Sequence, residues 1–190
     1  HNKAEYLILK NQLDEAEKIL ENNKGITKFL ITLIRLYFNS GQINKGNELL
    51  NQSWEILKNN SDFYNYLGIR YLSEGNFDEG WKYYEFRKSK LSNFFKDINE
   101  WDGRNIKDKS IVVYNEQGLG DSIQFSKYLL PLSKVSNKIT FVVQENIKNL
   151  FKNSKNINIK TYDECKNQTF DFKISLGSLI KFFYKEKINS

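Results

Sequence analysis

Residues 64–84 read YNYLGIRYLSEGNFDEGWKYY, and this stretch decides the fold of the first half of the chain. Leu67 and Tyr71 lie four positions apart, so they share one face of a helix. Gly75 marks a turn, and Gly80 has no side chain that would hold a second helix away from the first. The stretch therefore predicts two closely packed helices joined by a short turn.

The same pattern occurs earlier in the chain at an offset of 34 residues. The offset aligns six pairs of similar residues: Leu33 with Leu67, Tyr37 with Tyr71, Gly41 with Gly75, Ile43 with Phe77, Gly46 with Gly80, and Leu50 with Tyr84. A degenerate, slightly shorter copy precedes both. An ordinary helical hairpin domain is the alternative, but six coincident pairs favour a repeat. The sequence predicts helices over residues 3–10, 13–22, 26–39, 43–58, 61–73 and 77–90.

The better copy resembles a tetratricopeptide repeat, whose period is 34 residues. The resemblance rests on an aromatic residue, Leu-Gly, a tyrosine, a small residue and a second aromatic, in the order Tyr64, Leu67, Gly68, Tyr71, Gly80, Tyr84. Such repeats stack into a superhelix whose concave face binds extended peptides or a neighbouring domain. The resemblance therefore implies a protein or peptide partner on the repeat face.

The second half of the chain has the pattern of an α/β domain. Strands are predicted over residues 110–114, 139–143, 157–159 and 171–174, and helices over 122–135 with a kink at Pro131, 145–152 and 176–183. Alternating strands and helices predict a Rossmann-like parallel sheet with right-handed crossovers. We therefore expect helical repeats over residues 1–99, a linker over 100–109 held by Trp101, and an α/β half-domain over 110–190.

The composition narrows the possible classes of function. Among 190 residues there is one cysteine, Cys165, and one histidine, His1, which excludes internal disulfides, multi-cysteine zinc sites and histidine-containing catalytic triads. We interpret His1 as an expression-tag residue and the chain, which lacks methionine, as a fragment. The apolar runs are too short for a membrane span and no Lys/Arg-rich block resembles a nucleic-acid arm. We expect a cytoplasmic protein with no nucleic-acid partner.

The charge of the chain is uneven. The formal net charge is +6, and the whole excess comes from residues 101–190, because the basic and acidic side chains of residues 1–100 cancel. A basic second half suits an anionic partner such as a nucleotide or a phosphorylated glycan. A solvated lysine surface is the simpler interpretation.

Residues 115–121, NEQGLGD, follow the first long predicted strand. Ligands of parallel sheets bind outside the carboxyl ends of the strands, and Gly118 and Gly120 allow a tight turn and a close approach of the backbone. The start of the following helix suits a phosphate or a carboxylate. Position 123 is isoleucine where a dinucleotide loop needs glycine, and Gly-Asp-Ser replaces the Gly-Lys-Ser/Thr of a phosphate loop. No cofactor is therefore expected.

Asp121, at the end of this segment, has three interpretations. It is a helix cap that contributes about 1 kcal/mol, a general base that takes a proton from an acceptor hydroxyl, or a metal ligand. Only Glu116 is close enough in sequence to be a second metal ligand. No metal site is therefore expected.

Three motifs occur in an order that resembles bacterial tetratricopeptide proteins fused to a glycosyltransferase domain related to the lipopolysaccharide heptosyltransferases. They are Gly80-Trp81-x-x-Tyr84-Glu85-x-Arg87, Trp101-Asp102-Gly103, and the segment EQGLGDSIQF from Glu116 to Phe125. The resemblance extends through Val143-Gln144 and Phe170-Asp171 to Ser175-Leu176-x-Ser178-Leu179, so it covers nearly the whole chain. Pro131 follows Asp121 later than the proline of the heptosyltransferase motif, and Ile180 stands where many relatives have proline.

The resemblance implies a two-Rossmann (GT-B) architecture, in which the first half binds the acceptor and the second half binds the sugar nucleotide. The chain ends inside the first half. Asp121 matches the catalytic aspartate of the family. Gly118 and Gly120 match its loop, and the residues expected to line the cleft and bind substrate are Glu116, Gln117 and Gln124.

Two functions follow from these observations. The first is the repeat and acceptor-side half of a glycosyltransferase, which moves a sugar from a nucleotide donor to a glycan or protein hydroxyl and binds the donor only with the missing half. On this interpretation residues 1–190 alone are inactive. The alternative is a non-enzymatic repeat scaffold that binds a peptide or protein, in which the Rossmann-like half serves only for packing.

Overall fold

The computed structural model of the chain describes residues 1–87 and 95–186. It divides the chain into two compact units, with the boundary between Arg87 and Lys88. The first unit is helical, and the second contains a parallel sheet with helices, as the sequence predicts.

The first unit consists of three consecutive helical hairpins. Its helices are α1 (Asn2–Leu9), α2 (Leu13–Glu21), α3 (Thr27–Asn39), α4 (Ile43–Leu57), α5 (Ser61–Ser73) and α6 (Phe77–Tyr84). Within each hairpin the two helices contact each other, and α2 also contacts α3. The starts of α3 and α5 are 34 positions apart, as are the starts of α4 and α6. The sequence period therefore corresponds to a repeated structural unit.

The three hairpins turn in the same way. Each turn contains one residue with a positive φ angle, which is 58° at Asn11, 76° at Gly41 and 79° at Gly75. The turn residue donates its N–H to the carbonyl three residues back, and the next residue donates to the carbonyl five residues back. These two bonds form the Schellman motif, which favours glycine or asparagine at the turn position. The three hairpins therefore share the same two backbone hydrogen bonds at their turns.

Two buried clusters form the core of the first unit. The first lies among α1, α2 and α3, and the second among α3, α4 and α5, with Phe63 and Leu57 completely buried in the second. Small residues let the helices approach: a Cβ at Gly46 would lie 2.9 Å from the Phe38 ring, and one at Gly80 would lie 2.7 Å from Leu72. Gly80 and Leu72 lie 34 positions after Gly46 and Phe38, so the same two positions are in close contact in the second and third hairpins.

The predicted helix over residues 77–90 is shorter in the structure. It ends at Tyr84, and residues 88–90 lie outside the described residues. The N–H groups of Phe86 and Arg87 donate to carbonyls three residues back, at Tyr83 and Tyr84, so the chain tightens and leaves the α-helical path.

The second unit contains a five-stranded parallel sheet in the order β1-β5-β2-β3-β4. The strands are β1 (Asn99–Glu100), β2 (Ser110–Tyr114), β3 (Lys138–Val142), β4 (Ile157–Lys160) and β5 (Phe172–Ser175). β2 is the central strand, and four of its five residues are buried, as its β-branched sequence predicts. The sequence identified every strand except β1, which has only two residues.

Among the described residues of the second unit, the α-helices that connect or follow the strands are α7 (Leu119–Phe125), α8 (Leu129–Leu132), α9 (Glu145–Lys148), α10 (Tyr162–Cys165) and α11 (Leu176–Phe183). The helix predicted over 122–135 begins earlier, at Leu119, and a 3₁₀ turn over Ser126–Tyr128 interrupts it. The hydroxyl of Ser126 donates to the carbonyl of Ile123. This side-chain bond competes with the backbone hydrogen bonds of the helix at the point where the 3₁₀ turn begins.

The segment predicted as a linker belongs to the second unit. Glu100 ends β1, which pairs with β5, and Trp101 is 3% exposed. The Trp101 ring lies 4.9 Å from that of Phe182 and 6.0 Å from that of Phe183, and its Nε1 donates to the carbonyl of Arg104. Trp101 therefore packs against α11 of the second unit. The boundary between the units accordingly lies between Arg87 and Lys88 and not at residue 99 as predicted.

Acid is expected to weaken the second unit through Asp171. The carboxylate accepts hydrogen bonds from the N–H and hydroxyl of Ser110 and from Lys109, and these bonds lower its pKa from 3.8 to about 2. A lowered folded-state pKa stabilises the fold above the unfolded pKa, and this contribution disappears as the pH falls from about 4 to about 2. In urea denaturation, Asp171→Asn should therefore lose less stability than the wild type over this range. Asp108→Asn is the control, and equal losses in all three proteins would contradict the prediction.

Candidate functional site

The sheet has its topological switch point between β2 and β5. From β2 the chain continues to β3 and β4 on one side, and it then returns to β5 on the other side of β2. The segments that follow β2 and β5 therefore leave the same edge of the sheet in different directions. Ligands of open α/β sheets bind in the crevice at such a point, outside the carboxyl ends of the strands. The Glu116–Asp121 segment begins at this edge.

Asn115 shapes the start of the segment. The side chain is 1% exposed, its Oδ1 accepts from the N–H of Gln117 at 3.1 Å, and its Nδ2 donates to the Gln117 carbonyl at 3.1 Å. The Tyr162 hydroxyl donates to the Asn115 carbonyl at 2.6 Å. Burial, and to a smaller extent the charge of Glu116, raises the pKa of Tyr162, so this hydroxyl stays protonated as a donor. A partly buried hydrogen-bond network therefore fixes the start of the loop.

Asp121 lies in the first turn of α7 and is half-buried. Its Oδ2 accepts a hydrogen bond from the N–H of Gly118, the N-cap residue, at 3.1 Å. This is the geometry of a cap. Oδ1 makes no hydrogen bond with the residues that the structure describes, so one oxygen holds the helix start while the other remains available to a ligand.

The other predicted site residues lie in the segment between β2 and α7 and on α7 itself, and they differ in exposure. Glu116 and Gln117 are half-buried, and Gly118 and Gly120 are exposed. A Cβ at Gly120 would have no heavy atom within 4 Å, so the backbone there is open to a ligand. Gln124 is exposed one turn after Asp121 on α7. The residues from Glu116 to Asp121 therefore lie together in one continuous segment, and Gln124 lies on the exposed part of α7 that follows it.

The sequence analysis named Ser175 and Ser178 in the resemblance but did not predict them as site residues at the switch point. Ser175 ends β5 and pairs in register with Tyr114, so it lies beside the last residue of β2. Its hydroxyl oxygen lies 2.8 Å from that of Ser178, and both side chains are buried. The available signal was that Ser175 directly follows the strand predicted over residues 171–174, with Ser178 three positions further on. Cys165 is a different case, because it is buried and burial raises the pKa of its thiol, which disfavours the reactive thiolate.

The first unit contains a separate cavity of about 680 Å³, which we call the groove. Every residue that lines it lies in α1, α3 or α5, or directly before one of these helices. The first helices of the three hairpins thus form a common surface. Its volume is in the range of typical ligand sites.

Searches of protein-family models, curated proteins and solved structures find no match for this chain. Among the described residues, no helix combines the length and the apolar character needed to cross a bilayer. Within residues 1–87 and 95–186, no group of three or more histidine, cysteine, aspartate or glutamate side chains is placed to hold a metal ion.

Proposed function

We propose that the chain is the repeat and acceptor-side half of a glycosyltransferase of the two-Rossmann (GT-B) type. One observation supports this function above all others: the segment that resembles the heptosyltransferase motif lies at the topological switch point, where α/β enzymes bind ligands. The donor site lies outside residues 1–190 in this proposal. A cytoplasmic location is part of the same proposal.

In the proposed reaction, Asp121 is the general base. The oxygen of an acceptor hydroxyl attacks the anomeric carbon of the sugar, and its proton passes to Oδ1 of Asp121. The bond between the anomeric carbon and the nucleotide phosphate breaks, and its electron pair leaves with the phosphate. The exposed Gly118 and Gly120 let the acceptor approach the backbone, and Glu116, Gln117 and Gln124 supply polar contacts. Proton removal by a positioned carboxylate accelerates such a step by roughly 10²–10⁴-fold.

The natural protein, expressed from its complete gene, is expected to transfer a labelled sugar from one member of a panel of UDP-, GDP- and ADP-linked sugars. The acceptor mixture is a protein and oligosaccharide fraction from the source cells. Residues 1–190 alone should transfer none, because the donor site is not among them. Failure of the natural protein to consume any donor would contradict the function, and turnover by residues 1–190 would contradict the placement of the donor site.

A second function is favoured by the groove. We propose that the three hairpins are tetratricopeptide repeats and that the groove binds an extended segment of a partner protein. The 34-residue spacing of the second and third hairpins and the shared hydrogen-bond pattern of the three turns support the assignment of repeats. The lining of the groove by successive first helices supports the binding function, because a segment laid along it contacts all three hairpins. This function is independent of sugar transfer.

A further inference from the structure

Arg35, Tyr66 and Arg70 line the same groove. Tyr66 is only 9% exposed, yet its hydroxyl has no hydrogen-bond partner among the described residues. The same is true of Oδ1 of Asn65, which also lines the groove. Buried polar groups in proteins normally have partners, and leaving one unsatisfied is unfavourable. The Tyr66 hydroxyl is a donor without an acceptor, and Oδ1 of Asn65 is an acceptor without a donor. Together they point to a ligand that carries both kinds of group, as a peptide with carboxylate side chains and backbone N–H groups does.

The two arginines are close enough to act on the Tyr66 hydroxyl. Burial raises the pKa of Tyr66 to about 12, and the positive charges of Arg70 and Arg35 act in the opposite direction. The phenol therefore stays protonated at neutral pH and is available as an O–H donor. Two cations and one hydroxyl thus lie together in the wall of the groove, and all three can donate hydrogen bonds to a ligand.

Acidic neighbours occupy only part of this donor capacity. Nη2 of Arg35 lies 3.2 Å from Glu5, and Nε of Arg70 lies 2.8 Å from Glu74. The Glu5 and Glu74 side chains are 43% and 49% exposed, so water screens both ion pairs. A guanidinium carries five N–H donors, and each of these ion pairs uses one. The other N–H groups of the two arginines make no hydrogen bond with the described residues. The guanidinium of Arg70 also lies over the ring of Phe38, with its carbon 3.5 Å from the ring centroid.

We propose that Arg35, Tyr66 and Arg70 bind a carboxylate side chain in an extended, acidic segment of a partner protein. The inference rests on the proposed binding function of the groove and adds the chemistry of its partner. A cluster of donors requires an acceptor-only group, and carboxylates match guanidinium geometry. Ile31 and the half-exposed Ile69 line the same cavity, so the segment also contacts an apolar wall, which a free ion cannot fill.

The probe is a fluorescein-labelled decapeptide of alternating Glu and Ala, compared with its alternating Gln and Ala counterpart. In fluorescence-polarisation titrations of the chain, the Glu peptide should bind roughly ten-fold more tightly, which is the scale of a charge-assisted hydrogen bond. Arg35→Gln should remove this preference. Glu5→Gln should increase the affinity for the Glu peptide roughly three-fold, because it removes a competing carboxylate while Arg35 remains. Damage to the fold would not raise the affinity.

Arg104→Gln is the matched control, since Arg104 is an exposed arginine of the second unit paired with Asp102, and it should leave both affinities unchanged. Equal binding of the two peptides would overturn the acidic preference and leave the function of the groove intact. Binding of neither peptide would overturn both. Inorganic phosphate that displaces the Glu peptide at matching concentration, or self-association of the chain that Arg35→Gln abolishes, would also overturn the proposal.

Discussion

Replacing Gly68 with alanine should destabilise the helical unit by about 2 kcal/mol, which is typical of overpacking. A Cβ at this position would lie 2.5 Å from the backbone nitrogen of Tyr84 and 2.9 Å from the carbonyl carbon of Tyr83. These are backbone atoms of α6, so no side-chain rotation relieves the clash and the hairpin must open. Urea denaturation followed by far-ultraviolet circular dichroism measures the effect through its midpoint.

Gly25→Ala is the matched control for this prediction. A Cβ at Gly25 would have no heavy atom within 4 Å, so its free energy of unfolding should stay within about 0.5 kcal/mol of the wild type. Gly46→Ala should give an intermediate loss, because the group that its Cβ would contact is the ring of Phe38, which can turn away. An unchanged midpoint for Gly68→Ala would contradict the close packing of α5 against α6.

The helical hairpins were predictable because their contacts are local. Predicted ranges for α3, α4 and α5 agree with the observed ones to within one residue at each end. Each turn glycine, Gly41 and Gly75, lies within a few residues of the helices that it separates, so a sequence pattern records it directly. The side chains that line the groove could not be predicted together, because Arg35 and Tyr66 lie on different hairpins and come close only when these stack.

The sheet shows which features a sequence pattern does not contain. Strand β1 has two exposed residues and exists only because β5 pairs with it from the other end of the domain. The position of the switch point depends on that same insertion of β5 between β1 and β2. Trp101 was predicted in a linker because its ring partners, Phe182 and Phe183, lie far along the chain. Non-local pairing therefore decided each of these outcomes.

The candidate site was predictable in part. The Glu116–Asp121 segment could be predicted from its two glycines and from its position after a β-branched strand. The hydrogen-bond network around Asn115 could not be predicted from the sequence, because Tyr162 and Asn115, which it joins, are 47 positions apart. The two functions of the Asp121 side chain, capping and proton transfer, stay separate predictions, since the capping bond uses Oδ2 alone.

The second large effect is expected at Asp121 in the natural protein. Asp121→Asn should lower kcat/KM for sugar transfer by roughly 10²–10⁴-fold, because an amide oxygen is too weak a base to take the acceptor proton. Asparagine retains an oxygen that accepts from the N–H of Gly118, so the cap and the melting temperature should be nearly unchanged. Asp121→Ala loses the cap as well, which should cost about 1 kcal/mol of stability.

The transfer rate of Asp121→Asn relative to the wild type, determined together with the melting temperatures of both proteins, tests the central claim most directly. The claim is that the corner after β2 presents a proton acceptor to a bound substrate. We expect at least a hundred-fold loss of rate at an unchanged melting temperature. A rate within a few-fold of the wild type, together with a lower melting temperature for Asp121→Ala, would show that Asp121 only caps α7.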